Sequence, residues 1–191
     1  MKNKIEKYID RYLKETTIIA CSLDKKQIYR VMSILNKVKK ERGRVFVLGI
    51  GGSAANASHL VNDLRKISGI EAYTPVDNVA ELTARTNDDS FESIFIEWLK
   101  TSKLNKKDVV IILSVGGGSS KTSENLVFAM GYANNKNAKI ISIVSRDGGY
   151  AKELSDECIL IPVISKERIT PHAEGFQGII WHLIVNGMVI E

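Results

Sequence analysis

The sequence predicts an α/β protein, a three-layer αβα sandwich built on a doubly wound, mainly parallel sheet of five strands. Continuous runs rich in Val, Ile and Leu alternate with segments of helical apolar spacing, as is typical of parallel strands covered on both faces. Strands are expected at residues 45–50, 109–114, 138–144 and 157–162, with a weaker one at 70–74. Helices are expected between them at residues 54–66, 92–101, 122–134 and 168–189.

Two further helices, at residues 2–20 and 25–42, are predicted ahead of the sheet. Residues 1–44 carry 13 Lys and Arg against 5 Asp and Glu, whereas the remainder carries 14 against 17. The lysines interrupt amphipathic patterns and few aromatic residues lie between them, so a solvated helix face is favoured over a nucleic-acid surface. The apolar face of these helices is too large to stand alone, which predicts packing against neighbouring subunits.

Composition is ordinary for a globular domain, with 191 residues, 44% hydrophobic and 26% charged. We expect one domain over residues 1–191, with a helical pair at 1–42 and an α/β core at 43–191. Cys21 and Cys158 are too few for a disulfide framework or a thiolate metal site. No apolar run approaches ~18 residues and no signal peptide is recognised, so we expect a cytoplasmic protein without a membrane partner.

Two glycine–serine turns follow predicted strands. The first ends in Gly51-Gly52-Ser53, and the second runs from Ser114 through Gly116-Gly117-Gly118 to Ser119-Ser120. Glycine lets the backbone approach a ligand closely, and backbone N–H groups and hydroxyls offer donors to an anion. Because the carboxyl ends of parallel strands share one edge of the sheet, the two turns predict a pocket for a phosphorylated molecule.

The first turn also fits the loose dinucleotide pattern G-x-G-x-x-A. A ribose-binding acid should end the second strand, but Glu71 lies near the start of the weak strand. NAD binding is therefore a minor alternative.

The three histidines point to a second kind of chemistry. His59 and Asp63 are four residues apart on one predicted helix, and His182 lies with Glu174 on the last helix. Imidazole and carboxylate suit zinc or a similar divalent ion, although a plain polar pair and a core histidine remain alternatives. Glu174 and His182 would lie about 12 Å apart along a straight helix, so both must lean inward to share an ion. His172 is expected to cap this helix or to line the pocket mouth.

The combination resembles the sugar isomerase (SIS) domain superfamily and, within it, the sedoheptulose 7-phosphate (phosphoheptose) isomerases. The resemblance spans nearly the whole chain. It rests on the two N-terminal helices, the G-x-G-G-S turn, the H-x-x-x-D pattern of His59 and Asp63, Asn87-Asp88, the serine-rich turn, Arg146-Asp147-Gly148-Gly149 and the C-terminal helix.

The resemblance implies a homotetramer that interconverts sedoheptulose 7-phosphate and D-glycero-D-manno-heptose 7-phosphate. It implies one Zn²⁺ or other divalent ion per site, held by His59, Asp63, Glu174 and His182. It also implies a substrate site lined by Gly51, Gly52, Ser53, Asn87, Asp88, Ser114, Ser119 and Ser120. As catalytic groups, we predict Asp63 as base and His182 as acid, with Glu174 as the competing base.

Several positions depart from the family pattern. Asp63 stands where glutamate is usual, Glu174 where glutamine is usual, and Asn56 where some relatives have an aspartate. The second turn is about four residues longer than the family's. These departures leave two alternatives open: a non-catalytic SIS domain that recruits a protein partner, and an isomerase of another sugar phosphate.

Overall fold

The computed structural model describes residues 2–190, which form a five-stranded sheet between two layers of helices. The strands are β1 (Arg44–Gly49), β2 (Glu71–Tyr73), β3 (Val109–Leu113), β4 (Lys139–Val144) and β5 (Glu157–Leu160). The helices are α1 (Lys2–Ser22), α2 (Lys25–Lys40), α3 (Gly52–Lys66), α4 (Val79–Asp88), α5 (Ile94–Thr101), α6 (Glu124–Asn135), α7 (Gly149–Leu154) and α8 (Ile169–Gly187). Short 3₁₀ turns lie at Pro75–Asp77 and Lys166–Arg168.

The predicted fold class is confirmed. The strand order is β2-β1-β3-β4-β5, and every strand pair is parallel. The chain winds outward from β1 to β2, then crosses back to β3, so the order reverses between β1 and β3. Gly49 pairs with Leu113 in this register, which brings the ends of the two strands level. Ligands of open α/β sheets bind at such a reversal, outside the carboxyl ends of the strands.

The strands carry apolar side chains on both faces because helices cover both. Val45 and Val47 pack into a core with α2, α3 and α8, while Phe46 and Leu48 pack into a second core with α5, α6 and α7. This alternation follows from the two-residue period of a strand. It explains why β1 and β3 read as unbroken apolar runs.

The N-terminal helices differ in how they are held. Asp24 caps α2 by accepting hydrogen bonds from two backbone N–H groups, and four residues of α2 are buried. Helix α1 is mostly exposed, with Ile19 and Glu15 as its buried contacts. Glu15 lies between Arg168 and His172 at the start of α8, with Arg168 Nε and His172 Nε2 at 2.8 and 3.0 Å from its Oε2. An ion-paired cluster therefore fastens α1 to α8.

Two helices, α4 and α7, were not predicted. Helix α4 contains no buried residue, and α7 spans six residues with Ala151 as its buried one, so neither shows a long apolar period. Helix α8 begins at Ile169 directly after a 3₁₀ turn, which makes Arg168 its N-cap. In residues 2–190 no helix combines the length and apolar character that crossing a membrane requires.

Candidate active site

The β1–α3 turn carries the first set of predicted ligand groups. Gly51 adopts φ +62° and ψ −126°, a backbone conformation that is strained for any residue with a side chain. It leads directly into α3. Ser53 follows in the first helical turn and is buried. The positive end of the α3 dipole therefore faces the carboxyl edge of the sheet.

The β3–α6 turn carries the second set. The hydroxyl of Ser114 accepts a hydrogen bond from the Gly117 N–H at 3.1 Å, and that of Ser119 accepts one from the Lys121 N–H at 3.2 Å. Ser123 is left-handed at φ +56° and immediately precedes α6. The turn is thus held by its own serines.

The two turns and the β4–α7 loop enclose a cavity of about 620 Å³, within the usual size range of small-molecule sites. Of the predicted substrate residues, Ser53, Ser114 and Ser119 line it, whereas Gly51, Gly52 and Ser120 are not among its lining residues. Four polar lining residues were not among the predicted site residues: Thr122, Ser123, Arg146 and Asp147. A signal for Arg146 was present, since it is a cation two residues beyond the end of a predicted strand and beside a Gly-Gly pair.

A cluster of imidazole and carboxylate groups lies farther along α3. One ligand atom from each of His59, Asp63 and His182 lies within 4.8 Å of the others. Asp63 Oδ2 is 3.6 Å from His59 Nε2 and 3.2 Å from His182 Nδ1. The imidazole rings stand nearly perpendicular, with centroids 5.1 Å apart. Among the described residues this is the group whose donors could hold a metal ion.

Asp63 is the buried centre of this cluster. Its Oδ2 also accepts a hydrogen bond from Trp181 Nε1 at 3.3 Å, and its Oδ1 accepts one from the Asn62 amide at 3.0 Å. Both histidine side chains are about half exposed, at 55% for His59 and 48% for His182. The carboxylate is therefore fixed by neighbours, while the imidazoles face outward.

Glu174 does not join the cluster. Its carboxylate lies against Gly52, so close that a Cβ on Gly52 would be 2.5 Å from the carboxylate carbon. Asn56 ties the two helices here, because its amide donates to the Glu174 carbonyl at 2.9 Å and to Gln177 Oε1 at 2.8 Å. Glu174 thus stands beside the residue that precedes Ser53 of the cavity.

Two other predicted positions lie apart from both features. Asn87 and Asp88 end the exposed helix α4, hydrogen-bonded to each other, and neither lines the cavity. His172 is buried against Glu15 rather than at the pocket mouth. The hydrogen bonds from Arg168 and from His172 lower the pKa of Glu15 from about 4.5 to about 2.

Comparison with known proteins defines the class. The SIS domain family matches residues 8–145 of this chain. The phosphoheptose isomerase of Helicobacter pylori (strain P12) is 30% identical over 141 residues, 71% of each chain. That of a Nitratiruptor species is 31% identical over 147 residues, 74% of this chain and 76% of the relative. In fold, the chain is similar to phosphoheptose isomerase GmhA from Neisseria gonorrhoeae, with a TM-score of 0.83, 18% identity, and 98% and 97% of the two chains covered.

The parallel sheet, the serine-lined cavity at its strand reversal and the family match make this a SIS-domain sugar-phosphate isomerase. The chain belongs to the phosphoheptose isomerase family, as a divergent member.

Proposed function

We propose that the protein converts sedoheptulose 7-phosphate to D-glycero-D-manno-heptose 7-phosphate by metal-assisted proton transfer between C1 and C2. The observation that carries this proposal is the placement of two different sets of groups on one helix. Ser53, in the first turn of α3, lines the cavity of hydroxyl donors. His59 and Asp63 follow on the same helix, in the imidazole–carboxylate cluster.

The spacing of these two sets suits a long sugar phosphate. His59 comes six residues after Ser53, about 9 Å along the helix axis. Sedoheptulose 7-phosphate carries its phosphate and its reactive carbonyl at opposite ends of a seven-carbon chain. A phosphate held at the cavity would therefore leave C1 and C2 to extend toward the cluster.

The donor set fits a divalent ion such as Zn²⁺. Ligands at 2.0–2.2 Å around a tetrahedral ion are separated by roughly 3.3–3.6 Å. The separations from Asp63 Oδ2, 3.6 Å to His59 Nε2 and 3.2 Å to His182 Nδ1, are close to that range. His59, Asp63 and His182 would hold the ion, and a bound ion would polarise the substrate oxygens at C1 and C2. The predicted fourth ligand, Glu174, lies elsewhere in this chain.

The base and the acid are assigned from the contacts of each candidate side chain. A base must take a proton from C1 and return it to C2, while an acid gives a proton to O2 as the proton on O1 is lost. Asp63 accepts hydrogen bonds at both oxygens, which suits an ion ligand. The carboxylate of Glu174 has no hydrogen-bond partner among the described residues and lies against Gly52, the residue before Ser53, which supports Glu174 as the base. His182 is half exposed and supports the role of acid.

We further propose that the enzyme works as a homotetramer. Helix α1 leaves four apolar side chains about half exposed: Ile5, Tyr8, Ile9 and Leu13. Ile179 and Leu183, near His182 on α8, are each 47% exposed. A second copy covering α8 would shield the half-exposed histidines, and it could supply groups such as Asn87 and Asp88. The cytoplasmic location and the lack of a nucleic-acid partner stay predictions.

The test is turnover by purified, metal-loaded protein. Sedoheptulose 7-phosphate in D₂O should yield the aldose 7-phosphate with deuterium incorporated at C2, as followed by NMR. Glu174→Gln and His182→Asn should each lower kcat by about 10²–10⁴-fold. Glu153→Gln is the matched control, because Glu153 is exposed on α7 and forms no ion pair with the described residues.

Two outcomes would redirect the assignment. Absence of turnover and of solvent exchange by metal-loaded protein would contradict the isomerase reaction and favour the non-catalytic binding domain. Turnover of a different sugar phosphate with higher kcat/KM would keep the enzyme class and change the substrate.

A further inference from the structure

Arg146 follows β4 in a segment to which the proposed reaction gives no role. Its backbone is left-handed at φ +57°, an uncommon conformation outside glycine, asparagine and aspartate. Ser145, just before it, is buried and fixed at both ends: its N–H donates to the Val115 carbonyl at 3.0 Å, and its hydroxyl donates to the Ile161 carbonyl at 2.9 Å. Arg146 is itself exposed, so its left-handed backbone is set by this buried neighbour, and such conformations are enriched at ligand sites.

The side chain of Arg146 extends over the second glycine–serine turn. Its Nη1 lies 3.7 Å, and its Cδ 3.8 Å, from the place that a Cβ on Gly116 would occupy. Both Arg146 and Gly116 line the cavity. No other lysine or arginine does so among the described residues.

The guanidinium is also unengaged. Arg30, Arg44, Arg85 and Arg168 each pair with a carboxylate, whereas no carboxylate of the described residues lies within 4.0 Å of the Arg146 nitrogens. The neighbouring carboxylate of Asp147 also lines the cavity, but it accepts a hydrogen bond from the Gly149 N–H at 3.2 Å. An arginine without a partner, facing a cavity of hydroxyls, is available to an anionic ligand.

We propose that Arg146 is the cationic ligand of the substrate phosphate and selects phosphorylated over unphosphorylated sugars. This inference rests on the proposed function. A phosphate monoester carries a charge of about −1.5 to −2 at neutral pH, which the neutral hydroxyls of Ser53 and Ser119 do not balance. A guanidinium donates two parallel N–H bonds to phosphate, which adds direction as well as charge.

The experiment compares Arg146→Gln with Arg42→Gln by calorimetric titration. Arg42 is a matched control, since it is exposed, left-handed at φ +54° and absent from the lining of the cavity. The ligands are inorganic phosphate, sedoheptulose 7-phosphate and unphosphorylated sedoheptulose. Arg146→Gln should weaken binding of both phosphates about 10- to 100-fold and leave sedoheptulose binding unchanged, whereas Arg42→Gln should match wild type. In turnover, the loss should appear mainly in KM.

A second variant guards against misfolding. Arg146→Gly suits the left-handed backbone, so it should keep the wild-type melting temperature while showing the same loss of phosphate affinity. Wild-type phosphate affinity in both variants would overturn the role of Arg146 even if the enzyme turns over. Conversely, phosphate binding that depends on Arg146 without any turnover would support this inference and contradict the proposed reaction.

Discussion

The carboxylate of Glu174 occupies the space above the α-carbon of Gly52, so that a Cβ on Gly52 would stand 2.5 Å from its carbon atom. This contact joins α8 to the first turn of α3. Any side chain at position 52 must displace the carboxylate, because the end of a flexible glutamate moves more easily than a helix backbone. The absence of a side chain at position 52 thus fixes where Glu174 rests.

Gly52→Ala should therefore separate activity from stability. We expect its melting temperature to stay within a few degrees of wild type, since the clash is with a movable group and alanine favours the helix. Turnover should fall at least about 10-fold if Glu174 acts from this position. Gly175→Ala is the control, because a Cβ there meets nothing within 4 Å. Equal activity in the two variants would argue against a base at this place.

Metal binding should depend on the three clustered residues and not on the remaining histidine. Asp63→Asn and His182→Asn should each lower zinc affinity by more than about 100-fold, since each removes a predicted ligand. Elemental analysis after dialysis measures this directly. His172→Asn should retain the ion, because His172 contacts Glu15 instead. Removal of zinc by a chelator should abolish turnover, and its return should restore it.

The second turn should tolerate alanine at Gly116 but not at Gly117. A Cβ on Gly117 would lie 1.9 Å from the Gly148 carbonyl oxygen, and φ there is +74°. Gly117→Ala should lower the free energy of unfolding by at least about 1–3 kcal/mol, seen as a drop of several degrees in melting temperature. Gly116→Ala adds ordinary contacts of 3.7 Å to Arg146 and should melt near wild type. Similar melting of the two variants would contradict the packing described.

The Glu15 cluster should make stability depend on acid pH. The pKa of the Glu15 carboxyl group is about 2 in the folded protein and about 4.5 ordinarily, so the unfolded chain binds the proton more readily. The stabilisation is complete above about pH 4.5 and is lost as pH falls from there toward 2. Urea unfolding at pH 7 and pH 3 should show a smaller difference for Glu15→Gln than for wild type. Glu6→Gln, exposed on the same helix, should behave as wild type.

Assembly should depend on the exposed face of α1. Ile9→Glu or Leu13→Glu would place a charge on an apolar surface and should convert the proposed tetramer into smaller species, as measured by light scattering after size-exclusion chromatography. Phe128→Glu is the control, since Phe128 is also apolar and 46% exposed but lies on α6, in the other helical layer. A monomeric wild-type protein would rule the tetramer out.

The parts of the fold that the sequence reveals are those with long apolar periods. Runs such as Val109–Leu113 are buried throughout, so their pattern is unbroken and the strands were recognised. Helix α4 buries none of its side chains, so its sequence shows no apolar period. A helix that packs no side chains into the core needs no apolar stripe, so its sequence lacks the 3.6-residue hydrophobic period by which helices are predicted.

In the candidate site, too, the features that follow a helical period could be predicted and the others could not. His59 and Asp63 were paired because a helix places residues four apart on one face, and the contact with His182 was proposed through the family resemblance. The resting place of Glu174 depends on the empty space at Gly52, and the reach of Arg146 depends on a left-handed backbone. Neither feature leaves a periodic pattern in the sequence, so neither can be predicted from it.

The second turn is hydrogen-bonded to the start of α7, with the N–H groups of Tyr150 and Ala151 donating to the carbonyls of Gly118 and Gly117 at 3.1 and 2.9 Å. Because these bonds join two walls of the cavity, opening either wall alone would break them. We therefore expect sugar phosphates to enter and leave without a hinge between these two walls. In the proposed tetramer, the rate of product escape would then be set by motions between copies of the chain rather than by a lid within one.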